Sequence, residues 1–195
     1  MNKLEINIVK DILKSNMALH LFGKPVSNFI DQKMDGIVEL TLIVINLFGA
    51  DPLDYEFINI AFSRIIEKYQ KDKNIFIAFK AGNWEREELF TGITKILRLK
   101  KKYDQSDKDI LIENGINLII VNDKNETIYV TNLDKMYIDV LKKIENNEKT
   151  SSLQLQKIFN LNAEDTSRIL SKLLNSKFIY ETDGPFYHAI ISLIL

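Results

Sequence analysis

The side chains able to do chemistry are few and far apart. His20 and His188 are the only histidines in 195 residues, and cysteine is absent. A thiol nucleophile, a cysteine-based zinc site and a disulfide framework are therefore excluded. Carboxylates gather twice, as Asp51 with Asp54 and as Glu85 with Glu87 and Glu88. Two neighbouring acids can divide the work of general acid and general base. Both groups, however, fall where helices begin, and carboxylates there ordinarily face solvent and complement the helix dipole. No HExxH, GxSxG, Walker lysine loop or dinucleotide glycine fingerprint occurs, and the 7 glycines are too scattered to cradle a phosphate. The expectation is a protein with no catalytic residue, no metal ligand and no cofactor. Recognition is better represented. The most basic run, RLKKK from Arg98 to Lys102, follows Lys95 by a turn; it reads first as the cationic end of a helix and second as a surface for nucleic acid or an acidic partner. Trp84, the only tryptophan, opens a helix, either as a half-buried staple or as an anchor for a partner.

Positioning these residues falls to an ordinary globular chain, 46% hydrophobic and 27% charged. Its 26 basic and 27 acidic residues nearly cancel, so no global field draws it to nucleic acid or to an anionic membrane. The opening MNKLEINIVKDILKSN lacks the continuous apolar stretch of a secretory signal. The longest apolar run, Leu40 to Phe48, is broken by Thr41 and Asn46 and falls short of the ~20 residues that cross a bilayer. A cytoplasmic protein with no membrane contact is expected.

Periodicity divides the chain near residue 132. Residues 4 to 9, LEINIV, alternate as a strand, and Val26, Phe29, Ile30 and Met34 recur at helical spacing before Gly36. Leu40 to Phe48 is apolar on both faces, as in a strand covered from both sides. After GADPLDYE the period turns helical: Phe57, Ile58, Ala61, Phe62, Ile65, Ile66 and Tyr69 make one stripe. IFIAF, from Ile75 to Phe79, is a second buried strand. A helix capped by Asn83 follows it, with Leu89, Phe90, Ile93, Ile96 and Leu97 inward. INLIIVNDKNETIYVTN, 116 to 132, reads as a hairpin turning at NDKN. Beyond Leu133 the pattern is helix, helix, helix, hairpin, with Asp183-Gly184 in the last turn. The fold class is α/β, with a layered sheet-and-helix domain over 1–132 and a small α+β domain over 133–195.

The junction INLFGADPLDYEF resembles the strand-to-helix junction of STAS-like domains, relatives of the anti-sigma-factor antagonists. Gly49 stands for the loop glycine, Leu53 for the apolar residue before the helix and Phe57 for the first core residue on it. The resemblance, over roughly residues 1 to 100, implies a domain that binds a protein partner, here through Asp54, Tyr55 and Glu56 with Trp84. The phosphorylated members place a serine at that helix start. This chain has Asp54-Tyr55-Glu56 instead, so switching by a kinase is not expected.

Residues 133–195 resemble winged-helix domains. DTSRILSKLLNSKFIYETDG is similar to the family's third helix and wing, with Thr166, Ser167, Arg168, Leu170, Leu173 and Leu174 at corresponding positions. The resemblance implies duplex DNA as a partner, contacted by Thr166, Ser167, Arg168, Ser171 and Lys172. Charge argues the other way. The domain carries seven lysines and one arginine against eight acids, a net of zero; its wing has no basic residue beyond Phe178, and Glu164 and Asp165 precede Arg168 on the helix end that would meet phosphate. The expected function is a non-enzymatic regulatory protein whose winged helix contacts DNA, or an adaptor whose winged helix binds only protein; the remote alternative is an enzyme built from carboxylates that folding brings together. The terminal AIISLIL, with Ile190, Ile191, Leu193, Ile194 and Leu195, is apolar on both faces and must be buried, either packed between the two domains or, the favoured expectation, pairing two copies as a homodimer.

Overall fold

A computed structural model describes residues 1–13, 23–50, 55–69, 72, 74–96, 105–113, 115–147, 149–182, 184 and 186–194. The chain divides into two compact units, Met1–Thr131 and Asn132–Leu195.

The first unit is a five-stranded sheet in the sequential order β1-β2-β3-β4-β5. β1 (Asn2–Asn7), β2 (Thr41–Asn46), β3 (Ile75–Lys80) and β4 (Leu118–Val121) run parallel, and β5 (Thr127–Val130) returns antiparallel from β4. Helices α1 (Gly23–Met34), α2 (Tyr55–Tyr69) and α3 (Asn83–Ile96) fill the parallel crossovers, and α4 (Asp107–Glu113) precedes β4. Right-handed crossovers that always step to the next strand put successive helices on one face. The core follows that rule: Val26, Ile30, Phe57, Phe62, Leu89 and Phe90 from α1, α2 and α3 meet Ile6, Ile43, Ile45, Phe79 and Ile120 of the sheet. The opposite strand residues, Leu42, Val44, Phe76, Ala78, Ile119 and Val121, are buried as well, so the apolar run of β2 is covered on both faces.

Three details depart from the sequence reading, and a fourth shows how an expected turn is held. The first strand ends at Asn7, where a π-helical turn, Ile8–Leu13, begins. Asn83 lies inside α3, because the Arg86 amide donates to the Gly82 carbonyl at 3.0 Å, and Gly82 is therefore the cap. Helix α4 was not expected; its seven residues are too few to display a full apolar period. Finally, the NDKN turn is held by Asn122, whose Oδ1 accepts the amides of Lys124 (2.9 Å) and Glu126 (2.8 Å), while Asn125 takes a left-handed φ of 59°.

The second unit runs α5 (Lys135–Glu145), β6 (Thr150–Ser151), α6 (Ser152–Phe159), α7 (Ala163–Asn175), β7 (Ile179–Thr182) and β8 (Phe186–Ala189), then a 3₁₀ turn, Ile190–Leu193. Its sheet order is β6-β8-β7, antiparallel throughout. α6 starts on a full capping box, in which the Ser151 hydroxyl accepts the Gln154 amide and the Gln154 side chain accepts the Ser151 amide. α7 starts on Asn162, whose Oδ1 accepts the Asp165 amide at 2.7 Å. It ends in a Schellman pattern: the Lys177 amide donates to the Leu174 carbonyl and the Phe178 amide to that of Leu173, with Lys177 at φ 58° where glycine is usual.

The terminal segment corrects the homodimer expectation. The Ile190 amide donates to the Phe178 carbonyl at 2.9 Å, and the 3₁₀ turn packs along α5 and β8. That turn sends Ile190, Ile191 and Ile194 inward, all buried, and leaves Ser192 outside with Leu193 half-covered. The three isoleucines are thus covered within their own unit, which removes the burial argument for a dimer through them. Leu195 lies outside the described residues.

Candidate functional site

In the first unit, β2 and β3 are parallel neighbours with Asn46 opposite Lys80. The loops that follow them therefore open on the same carboxyl edge of the sheet, the edge at which open α/β sheets take ligands. This topology brings together three of the expected partner-binding residues. Tyr55 begins α2, Glu56 is exposed beside it, and Trp84, 46% exposed, is in the first turn of α3. Asp54, and with it the Asp51 pairing, lies outside the described residues, as do Arg98–Lys102 and His20. Gly49, in the loop between β2 and α2, has φ 75°, a value that favours glycine over any other residue.

The polar groups at this edge largely bind one another. Lys80 Nζ meets Glu5 Oε1 at 3.0 Å, Asn46 Nδ2 donates to the same oxygen at 3.3 Å, and Asn46 Oδ1 accepts the Phe48 amide at 3.0 Å. Burial opposes ionisation of Glu5, but the hydrogen bonds from Lys80 and Asn46 and the charges of Lys80 and Lys3 outweigh it and hold the carboxyl below its ordinary value. Asn7 Oδ1 accepts the Lys10 amide, and Asp11 accepts the Asn7 amide, both at 2.8 Å. Of the acids noted at the start of α3, Glu85 folds back over Gly82, and Glu87 meets Arg86 at 3.5 Å. Among the described residues no group of three or more His, Asp or Glu side chains could hold a metal ion, and no helix is long and apolar enough to cross a membrane.

In the second unit, α7 presents Ser167, Arg168, Ser171, Lys172 and Asn175 to solvent. Thr166 is not among them. It is 1% exposed, and its hydroxyl donates to the Asn162 carbonyl at 2.8 Å, because one turn of helix after the cap points it at the core. As a residue meant to touch DNA, Thr166 is therefore a correction. Arg168 lies on the surface but is engaged: its Nη2 donates to Asp165 Oδ1 at 2.7 Å, while Asp165 Oδ2 accepts from Asn162 Nδ2 at 2.9 Å.

The outward face of the wing is aromatic. Tyr180 stacks on His188 with ring centroids 5.2 Å apart, Thr182 Oγ1 is 3.2 Å from His188 Nε2, and Lys149 Nζ stands 5.0 Å above the Phe186 ring. Burial raises the Tyr180 hydroxyl above its usual value. It raises Tyr187 too, helped by the charge and hydrogen bond of Glu181. His188 is thus part of a stacked surface. The remaining feature is a groove of about 510 Å³ between the start of α5 and the flank of α7, lined by Asp134, Met136, Tyr137, Leu161, Asp165, Arg168 and Ile169.

Comparison with known proteins finds no matching family model, no matching curated protein and no matching solved structure.

Sequence reasoning missed the groove, because its lining comes from two helices and the turn before α7, joined only by folding. It also passed over Leu153 and Ile158, exposed at 66% and 51% on α6. A signal existed for Leu153, which is two residues before the buried Leu155 and so falls on the opposite side of the helix; Ile158, three residues after Leu155, gave none.

Proposed function

We propose that this chain is a non-enzymatic regulatory protein of two binding modules, a STAS-like unit over 1–132 that docks a protein partner and a winged-helix unit over 133–195 that serves as a protein-docking adaptor. The STAS-like reading is supported by the junction from β2 through Gly49 into α2 and by the gathering of Glu56 and Trp84 at one edge. The winged-helix reading is supported by three helices followed by the β7–β8 hairpin, with β6 pairing onto β8. One observation carries the choice of protein over nucleic acid. The only arginine of α7 is bonded to Asp165, in a first turn that also exposes Glu164, so the helix end that would approach DNA presents carboxylates to the phosphates.

The exposed stripe of Ser167, Arg168, Ser171 and Lys172 favours a second reading, contact with duplex DNA. Fluorescence anisotropy of a random duplex at two salt concentrations separates the two. The adaptor reading expects weak binding with a shallow salt slope. Tight binding with a steep slope, abolished by Arg168→Ala with Lys172→Ala, overturns it in favour of DNA.

A further inference from the structure

We infer that the groove between α5 and α7 receives a protein segment carrying one large apolar side chain with a lysine or arginine next to it. This rests on the protein-docking reading of the second unit and names the chemistry of its partner. Four of its seven lining residues are largely apolar: Ile169 is buried, Tyr137 and Leu161 are half-buried, and Met136 has 42% of its surface in water. A methionine so exposed over a concave apolar surface is a flexible contact ready to close on a guest side chain.

Charge decides the rest of the guest. Two carboxylates and one guanidinium line the groove. Asp165 is already occupied, accepting from Arg168 on one oxygen and from Asn162 on the other. Asp134 is the unmatched group. It holds the N-cap position of α5 with extended backbone, the place where an aspartate ordinarily accepts a helix amide, yet its side chain makes no cap hydrogen bond. Among the described residues it has no ion pair either, and it is exposed. The groove thus presents a free negative charge beside apolar side chains, and the complement is a cation beside an apolar anchor. Duplex DNA offers the opposite charge and no such anchor.

The probe is a displayed library of random 12-residue peptides selected on the full chain, with the enriched sequences made as fluorescent peptides. The expected peptides hold a leucine, methionine or aromatic residue flanked by lysine or arginine. Their affinity should fall at least tenfold in Asp134→Lys and in Met136→Lys, both surface changes checked for folding by circular dichroism, and should hold in Lys172→Ala on the outer stripe. Enrichment of acidic peptides, or binding unmoved by Asp134→Lys and Met136→Lys, overturns the groove assignment while leaving the adaptor reading to its duplex test. Salt-steep duplex binding lost in Lys172→Ala overturns the adaptor reading itself.

Discussion

At the carboxyl edge of the first unit, Glu5, Asn46 and Lys80 come from three adjacent strands and bond to one another. In the second unit, Asp134 lines the groove between α5 and α7 and bonds to no side chain or cap amide among the described residues. The first arrangement uses polar groups to fix where strands end, and the exposed Glu56 and Trp84 lie outside it. In the second, polar capacity is left over. Unused hydrogen-bonding or charge capacity at a concave surface is the better guide to binding, because a group already satisfied must break a bond before it makes another.

The largest test of this contrast asks whether the two units stand independently. Phe178, 1% exposed, anchors the second unit behind α7, and Phe178→Ala should cost about 3–5 kcal/mol. In urea the circular dichroism should resolve an early transition. The fluorescence of Trp84, which reports the first unit alone, should keep its midpoint. A shift of both would show that the units unfold together.

The reciprocal change is Gly92→Val. A Cβ at Gly92 would collide with Ile58 Cγ2, so α2 and α3 touch there through a missing side chain. Overpacking should cost about 1–3 kcal/mol, seen as a lower Trp84 midpoint with the selected peptides still bound at full affinity.

A smaller effect has the opposite sign. Lys177 holds the left-handed position that ends α7, and Lys177→Gly should raise the stability of the second unit by about 1 kcal/mol by relieving backbone strain. Urea denaturation of the two proteins side by side measures it.

The smallest concerns pH. Glu5 ionises more readily folded than unfolded, so its contribution is complete above the ordinary value of 4.5 and is lost as pH falls through the lower folded value. The group is partly exposed, which limits the effect to ~0.5 kcal/mol. Glu5→Gln should remove that part of the acid sensitivity in urea midpoints taken from pH 7 down to pH 3, leaving peptide binding untouched.

Where one short range of sequence decides an outcome, it could be read. β2 and β3 announced themselves as apolar runs, and α7 as a stripe of Ile169, Leu170 and Leu173 behind an asparagine cap. The change of period near residue 132 falls where the chain divides into its two units. Outcomes set by tertiary geometry could not be read. AIISLIL looked like a surface needing a partner because nothing local reveals that Ile190 will bond to the Phe178 carbonyl and turn inward. Thr166 looked like a contact because alignment by motif ignores which way one helical turn points it. The groove combines Met136 with Ile169, 33 positions apart, and no periodicity links them.

The order β1-β2-β3-β4-β5 also bears on how the protein is made. Each strand pairs with the one synthesised just before it, so no strand must wait for a distant partner or slide between two already in place. Such sheets keep their contacts close in sequence, which speeds folding among parallel topologies that are otherwise slow. On a ribosome adding ~5–20 residues per second, the first three strands and their helices can associate as they emerge. The exposed edge left at each stage is short-lived, because the next segment to appear is the one that covers it. The antiparallel β5, delivered by the tight turn at Asn122, is the last to add, and it covers the free edge of β4.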